Sequence, residues 1–298
     1  MPRATSSHTL SVLQALFVTF LWSSSWILIK VGLEEIPAIS FAALRYALAF
    51  LVLSPAVLLR ADLRRSLLDL TPADWRRLSL LGVVFYALTQ GAQFVALSLL
   101  PAMLLALILS FSPVAVAILG TSLLEERLTV WQWAGTAIFV AGAAVYFLPI
   151  DAPIAALGIG VAVFGMAANA SGALQGRSIN KDGRLHPLLV TWVSMGVGSG
   201  LLLAAGLTLH GPPRLSASGW GIVLWLAVVN TALAFTLWNH TLRHLSAVES
   251  SVINNTMSIQ IAVLAWLVLG ESISPKEAAG LVTAALGVLL VQLSPRAR

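Results

Sequence analysis

A shift of 145 residues lays the chain on itself without a gap, placing Trp75 on Trp220, Glu126 on Glu271, Gly135 on Gly280 and Gly142 on Gly287. Between residues 75 and 148 the overlay gives 18 identities. Chance matches are common in an Ala- and Leu-rich chain, but they do not keep a Trp, a Glu and two Gly in step. The chain is therefore a doubled unit, with halves at 1–149 and 154–298 joined through Pro149-Ile150-Asp151-Ala152-Pro153. Whatever one half packs against, the other half must meet again in equivalent form.

Composition fixes the solvent. With 58% hydrophobic and 10% charged residues over 298 positions, there is too little polar surface to cover a water-soluble globule. Apolar runs of about the 20 residues that cross a hydrocarbon core stand at 11–31, 39–59, 78–97, 102–123 and 130–148, and again at 155–176, 188–209, 220–242, 247–269 and 277–293. The expected fold is all-α and membrane-integral: ten transmembrane helices in two five-helix repeats around a central cavity. The runs are continuous, without the alternation of a membrane barrel. The first run carries Trp22, Trp26 and Lys30 without a small-residue cleavage site, and reads as a span, not a signal peptide.

Positive charge orients the chain. With the N-terminus cytoplasmic, inside segments hold thirteen of the seventeen Lys and Arg, while Lys30, Arg214 and Lys276 lie outside and Arg45 lies within the second span. Both termini are thus expected on the cytoplasmic side of a cell inner membrane. Five spans per half is an odd number, so the second repeat enters from the opposite side and the repeat is inverted. The segment from Arg60 to Arg77 reads as a short amphipathic helix on the inner surface. No basic run with interleaved aromatics suggests nucleic acid, so the expected partners are the lipid bilayer and a small-molecule substrate, for which a monomer suffices.

Several chemistries are excluded. The chain has no cysteine, and HExxH, a phosphate-binding Gly-rich loop and GxSxG are all absent. His240 and His244 have no nearby acid to complete a metal site. No catalytic residue, metal or other cofactor is expected. All twelve acidic residues fall in loops or near span ends, which disfavours a proton relay at the bilayer centre. Glu249 is the nearest candidate, and a cap at the start of the ninth span is its plainer reading.

Polar side chains inside hydrocarbon point to partner helices or to a watery cavity. The ninth span holds the most, with Ser251, Asn254, Asn255 and Ser258 on one face; they either knit helices together or line a cavity. The third span aligns Tyr86, Gln90 and Gln93, and the eighth offers Asn230, Thr231, Trp238 and Asn239. The first contributes Trp22, Ser23 and Trp26, and the sixth contributes Asn169 beside three glycines. Pro113 interrupts the greasy fourth span and permits a kink, hence a gate. Arg45 either meets a substrate carboxylate or pairs with carbonyls or with Glu34 or Glu35. The fifth and tenth spans, nearly devoid of polar groups, read as outer scaffold.

The string Leu21-Trp22-Ser23-Ser24-Ser25-Trp26 followed by Lys30, the Pro37 to Arg45 spacing, Leu99-Leu100-Pro101-Ala102, and Glu126 or Glu271 nine residues before a helical Gly resemble the drug/metabolite transporter superfamily. Within it the chain looks like the ten-helix EamA-type exporters, most of all the YddG amino-acid exporters. The resemblance implies a basket of two inverted halves whose cavity is lined by spans 1, 3, 4, 6, 8 and 9. It also implies export of small metabolites from a bacterial cytoplasm by alternating access. Aromatic or neutral amino acids are the expected cargo, by facilitated efflux or exchange. Export of drugs or quaternary cations in an aromatic cage is the alternative, and an integral-membrane enzyme or sensor is a third.

Overall fold

The computed structural model describes all residues except 1, 101, 124–128, 149–154, 258, 262, 265–273 and 294–298. The anchors Glu126 and Glu271, the link 149–153 and Ser258 lie outside the described residues. The described elements are all helical: α1 Pro2–Gly32, α2 Ala38–Leu58, α3 Ala61–Leu68, α4 Pro72–Leu99, α5 Ala102–Leu109, α6 Ser112–Leu123, α7 Val130–Phe147, α8 Ala156–Asn180, α9 Pro187–His210, α10 Ala217–Thr241, α11 Ala247–Asn255 and α12 Pro275–Leu293. Six stretches are long and apolar enough to cross a bilayer: His8–Gly32, α2, α4, α8, α9 and α10. α3 is the expected surface helix, with Leu63 buried and its charges exposed.

Local chemistry sets the helix starts. Thr71 with Asp74, Thr129 with Gln132, and Ser246 with Glu249 form reciprocal capping boxes, in which side chains satisfy backbone N–H groups that have no partner inside the helix. Ser274 and Glu277 repeat the arrangement at α12. The 145-residue shift lays Thr71 on Ser216 and Asp74 on Gly219, so α10 lacks its own capping acid. Glu35 supplies it from the first half, its carboxylate accepting from the Ser216 backbone N–H and hydroxyl. A Cβ on Gly219 would stand 2.8 Å from Glu35 Oε2, so the missing side chain makes room for the borrowed acid.

The fourth expected span is not one helix. It breaks at Ser110–Phe111 into α5 and α6, so the kink assigned to Pro113 lies just before the proline. Pro113 sits in the first turn of α6, where a missing N–H costs nothing. A second departure is a pair of π-helical segments, Gly82–Thr89 inside α4 and Val228–Leu233 inside α10. The shift places residues 83–88 on 228–233, so both copies widen at the same point.

Helix contacts come in matched pairs. α1 packs on α10 as α8 packs on α4; α2 packs on α10 as α9 packs on α4; α1 meets α11 as α8 meets α6. α7 and α12 form the most extensive pair. There the repeated glycines cross over: a Cβ on Gly142 would lie 2.7 Å from the Gly280 carbonyl oxygen, and one on Gly280 would lie 2.8 Å from that of Gly142. Gly135 and Gly287 face each other in the same way. The two helices therefore run antiparallel with backbones in contact, which only glycine permits.

Candidate functional site

A cavity of about 120 Å³ opens among α1, α2, α4, α5, α6, α8, α10 and α11. Its lining includes Trp22, Trp26, Arg45, Gln90, Gln93, Asn169, Trp238, Asn254 and Asn255, so residues singled out for polarity, charge or aromatic character on six separate helices share one space. Ser25, Tyr46, Ser112, Ser250 and Ser251 add hydroxyls, and the remainder is apolar, with Ile29, Phe85, Phe94, Leu105, Leu109 and Phe235 among its residues. Polar groups set among apolar walls are the usual build of a small-molecule site.

The other candidates lie off the cavity. Ser23 donates to the Thr19 carbonyl (2.8 Å) and to Gln260 Oε1 (2.9 Å), and Gln260 Nε2 donates to Thr19 Oγ1 (2.9 Å). That network ties α1 to the helical residues that follow α11. Tyr86 is fully buried against Tyr46, Phe85 and Phe235. Asn230 is buried and structural: its Nδ2 donates to the Leu21 carbonyl and to Ser24 Oγ. Glu249 caps α11 and lies 3.3 Å from His8, away from the cavity. Pro113 does not line it, although Ser112 and Leu109 beside the break do. The polar face of the ninth span is thus divided: Ser250, Ser251, Asn254 and Asn255 face the cavity, while Thr256 and Gln260 bond to α1.

Arg45 pairs with neutral oxygens and with neither Glu34 nor Glu35. It is 3% exposed; Nε donates to Thr231 Oγ1 (2.7 Å) and Nη2 to the Asn230 carbonyl (3.2 Å). That same carbonyl accepts from Trp22 Nε1 at 3.0 Å. It lies in the π segment of α10, where the widened turn leaves a backbone oxygen open to side-chain donors. The indole then packs on Phe235 (centroids 4.8 Å) and Trp238 (5.1 Å), which fixes one wall. Tyr46, a polar residue of the second span not counted among the site candidates, donates to Gln90 Oε1 at 2.6 Å. Gln93, Asn169 and Asn254 have no side-chain hydrogen bond among the described residues, and their amides are free for a ligand.

The wall holds one cation, several amides and indoles, and no carboxylate among its described residues. No group of three or more His, Asp or Glu fit to hold a metal occurs among the described residues. Such a site can bind and orient a small amphipathic molecule. Its described residues include no nucleophile–base pair with which to transform one.

Comparison with known proteins agrees with this inventory. A solved crystal structure superposes with a TM-score of 0.76 over 96% of each chain at 20% identity, which establishes a shared fold. The permease-like protein YdzE of Bacillus subtilis (strain 168) is 37% identical over 68 residues, 23% of this chain and 87% of that protein. The sequence pattern of the EamA-like transporter family matches twice, at residues 9–148 and 156–293. The chain belongs to the EamA-like transporter family and is a multi-pass membrane transporter of the drug/metabolite superfamily, not an enzyme.

Proposed function

We propose that the protein is a secondary exporter of small amphipathic metabolites, aromatic or neutral amino acids above all, as in the YddG exporters that it resembles. Ten spans in two inverted repeats, divided at 1–149 and 154–298, carry the substrate across a bacterial inner membrane by alternating access, with both termini cytoplasmic. The matched helix contacts and the crossed glycines of α7 and α12 support the inversion, because an antiparallel pair of equivalent helices is what a two-fold axis in the membrane plane produces.

The observation that carries the reading is the cavity wall. Gln93 from one half and Asn169 and Asn254 from the other present unpaired amides beside indoles and phenyl rings. Amides hydrogen-bond ammonium or carboxylate, and the rings cover an apolar tail. Among the described lining residues no carboxylate draws a coupling proton into the site, which favours downhill efflux or exchange as the mechanism.

Counterflow in proteoliposomes tests this. Purified protein, preloaded with single unlabelled amino acids, drugs or dyes, accumulates labelled aromatic or neutral amino acids, and Asn254→Ala or Gln93→Ala slows it at least fivefold with folded protein retained. Accumulation of quaternary cations alone transfers the assignment to the drug-export branch. No movement of any solute removes the reading.

A further inference from the structure

Arg45 is the one charged residue in the described wall, and its guanidinium is only partly engaged. Nε and Nη2 are held by the Thr231 hydroxyl and the Asn230 carbonyl, both neutral. Nη1 has no partner among the described residues, nor is it among the buried side-chain atoms sealed from any open space. The positive charge therefore borders the cavity without a counter-ion. A buried cation left in this state is costly, and the two neutral oxygens orient it without cancelling its charge.

Nothing in the described wall performs the opposite task. An ammonium entering the cavity finds amide oxygens and ring faces, but no carboxylate. We propose that the site selects its substrate by the carboxylate, which Arg45 Nη1 and the Gln93 and Asn254 amides receive, while an α-ammonium group is dispensable. The substrate class then widens from amino acids to amphipathic organic acids that lack the amino group, and amphipathic amines are excluded. This rests on the transporter reading of the same cavity and adds charge selectivity to it. Trp22 supports the geometry: by donating to the same Asn230 carbonyl it holds α1 against the oxygen that orients Arg45.

Three probes of one shape separate the charges: phenylalanine, 3-phenylpropionate without the ammonium, and phenethylamine without the carboxylate. Thermal stabilisation of the purified wild-type protein is measured against concentration for each. Phenylalanine and 3-phenylpropionate are expected to stabilise at concentrations within threefold of each other, and phenethylamine only at tenfold higher concentration or not at all. Arg45→Lys, which keeps the charge and loses the planar fork, raises the half-effective concentration of 3-phenylpropionate at least tenfold and leaves that of phenethylamine unchanged. Equal or better stabilisation by phenethylamine overturns the proposal, as does a lack of stabilisation by both carboxylates. Neither result touches the transporter assignment, which counterflow decides. If Arg45→Lys does not fold, the wild-type series alone settles the question.

Discussion

Replacing Gly142 or Gly280 by alanine tests whether the repeated glycines are there for contact between α7 and α12. Each new Cβ would stand 2.7 or 2.8 Å from the other glycine's carbonyl oxygen. A backbone nitrogen is closer still, that of Ala284 for Gly142 and that of Tyr146, at 2.6 Å, for Gly280, and ordinary contact begins near 3.4 Å, so the helices must part locally by roughly 1 Å. Close-packed surfaces forfeit about a quarter to a half of their dispersion attraction over such a gap, and overpacking costs about 1–3 kcal/mol. The two contacts are reciprocal and lie at one crossing point, so separation forced by one substitution already accommodates the other. The double variant is therefore expected to cost about as much as either single, a coupling of about 1–3 kcal/mol. Gly160→Ala, inside α8 with nothing within 4 Å, is the control and carries only the helix-propensity gain of about 0.5–1 kcal/mol. SDS-titrated unfolding of the purified protein measures all four. The reasoning fails if the single variants match wild type or if their costs add.

Other outcomes follow from particular bonds. Glu35→Ala removes the borrowed cap of α10 and lowers stability by about 1 kcal/mol; Gly219→Asp in that background restores it by rebuilding the Thr71–Asp74 arrangement, whereas Gly219→Asp alone crowds two carboxylates and destabilises, all readable by thermal unfolding. Trp22→Phe keeps the ring contacts but leaves Arg45 alone on the Asn230 carbonyl, at about 1 kcal/mol. His186 caps α9 by accepting the Leu188 N–H at Nδ1 (3.2 Å), and burial, then Arg60 and Arg243, lower its pKa below the usual 6.5. Its contribution is thus complete above pH 6.5 and is lost as pH falls through the lower folded value; His186→Asn keeps a cap and abolishes that dependence in a pH series of melting temperatures.

The sequence made some of this plain and hid the rest for physical reasons. Duplication and the apolar runs were legible because bilayer length and repeat register are one-dimensional properties. Of the capping acids only Glu249 was picked out in the sequence; the boxes themselves are three-residue spacings that polar pairs at span ends do not set apart from ordinary loop residues. The choice of α1, α4, α8, α10 and α11 as cavity helices came from polar residues in hydrocarbon, and all five do border the cavity. Which of those residues face it was not readable. Ser23 and Gln260 differ from Asn254 and Gln93 only in the helix opposite them, and a stripe does not reveal whether its neighbour holds a partner. The π segments shift the helical phase within α4 and α10, so Tyr86 and Asn230 turn into packing while Phe85 and Phe235 border the cavity. Arg45 was placed between two readings because its acceptors, a backbone carbonyl and a threonine, come from a helix nearly two hundred residues away.

The chain's lack of cysteine permits the most direct test that this cavity is the substrate's route. Single cysteines are placed at Gln93 and Asn254, one on each half's wall, and at Leu224, an exposed apolar position on the outer surface of α10. Native membrane vesicles are treated with a water-soluble methanethiosulfonate, with and without a transported solute. The account predicts that Gln93→Cys and Asn254→Cys react, are protected by solute and lose transport on modification, while Leu224→Cys stays unmodified. Inert cavity positions, or modification at both that leaves transport and its protection by solute unaltered, would contradict it.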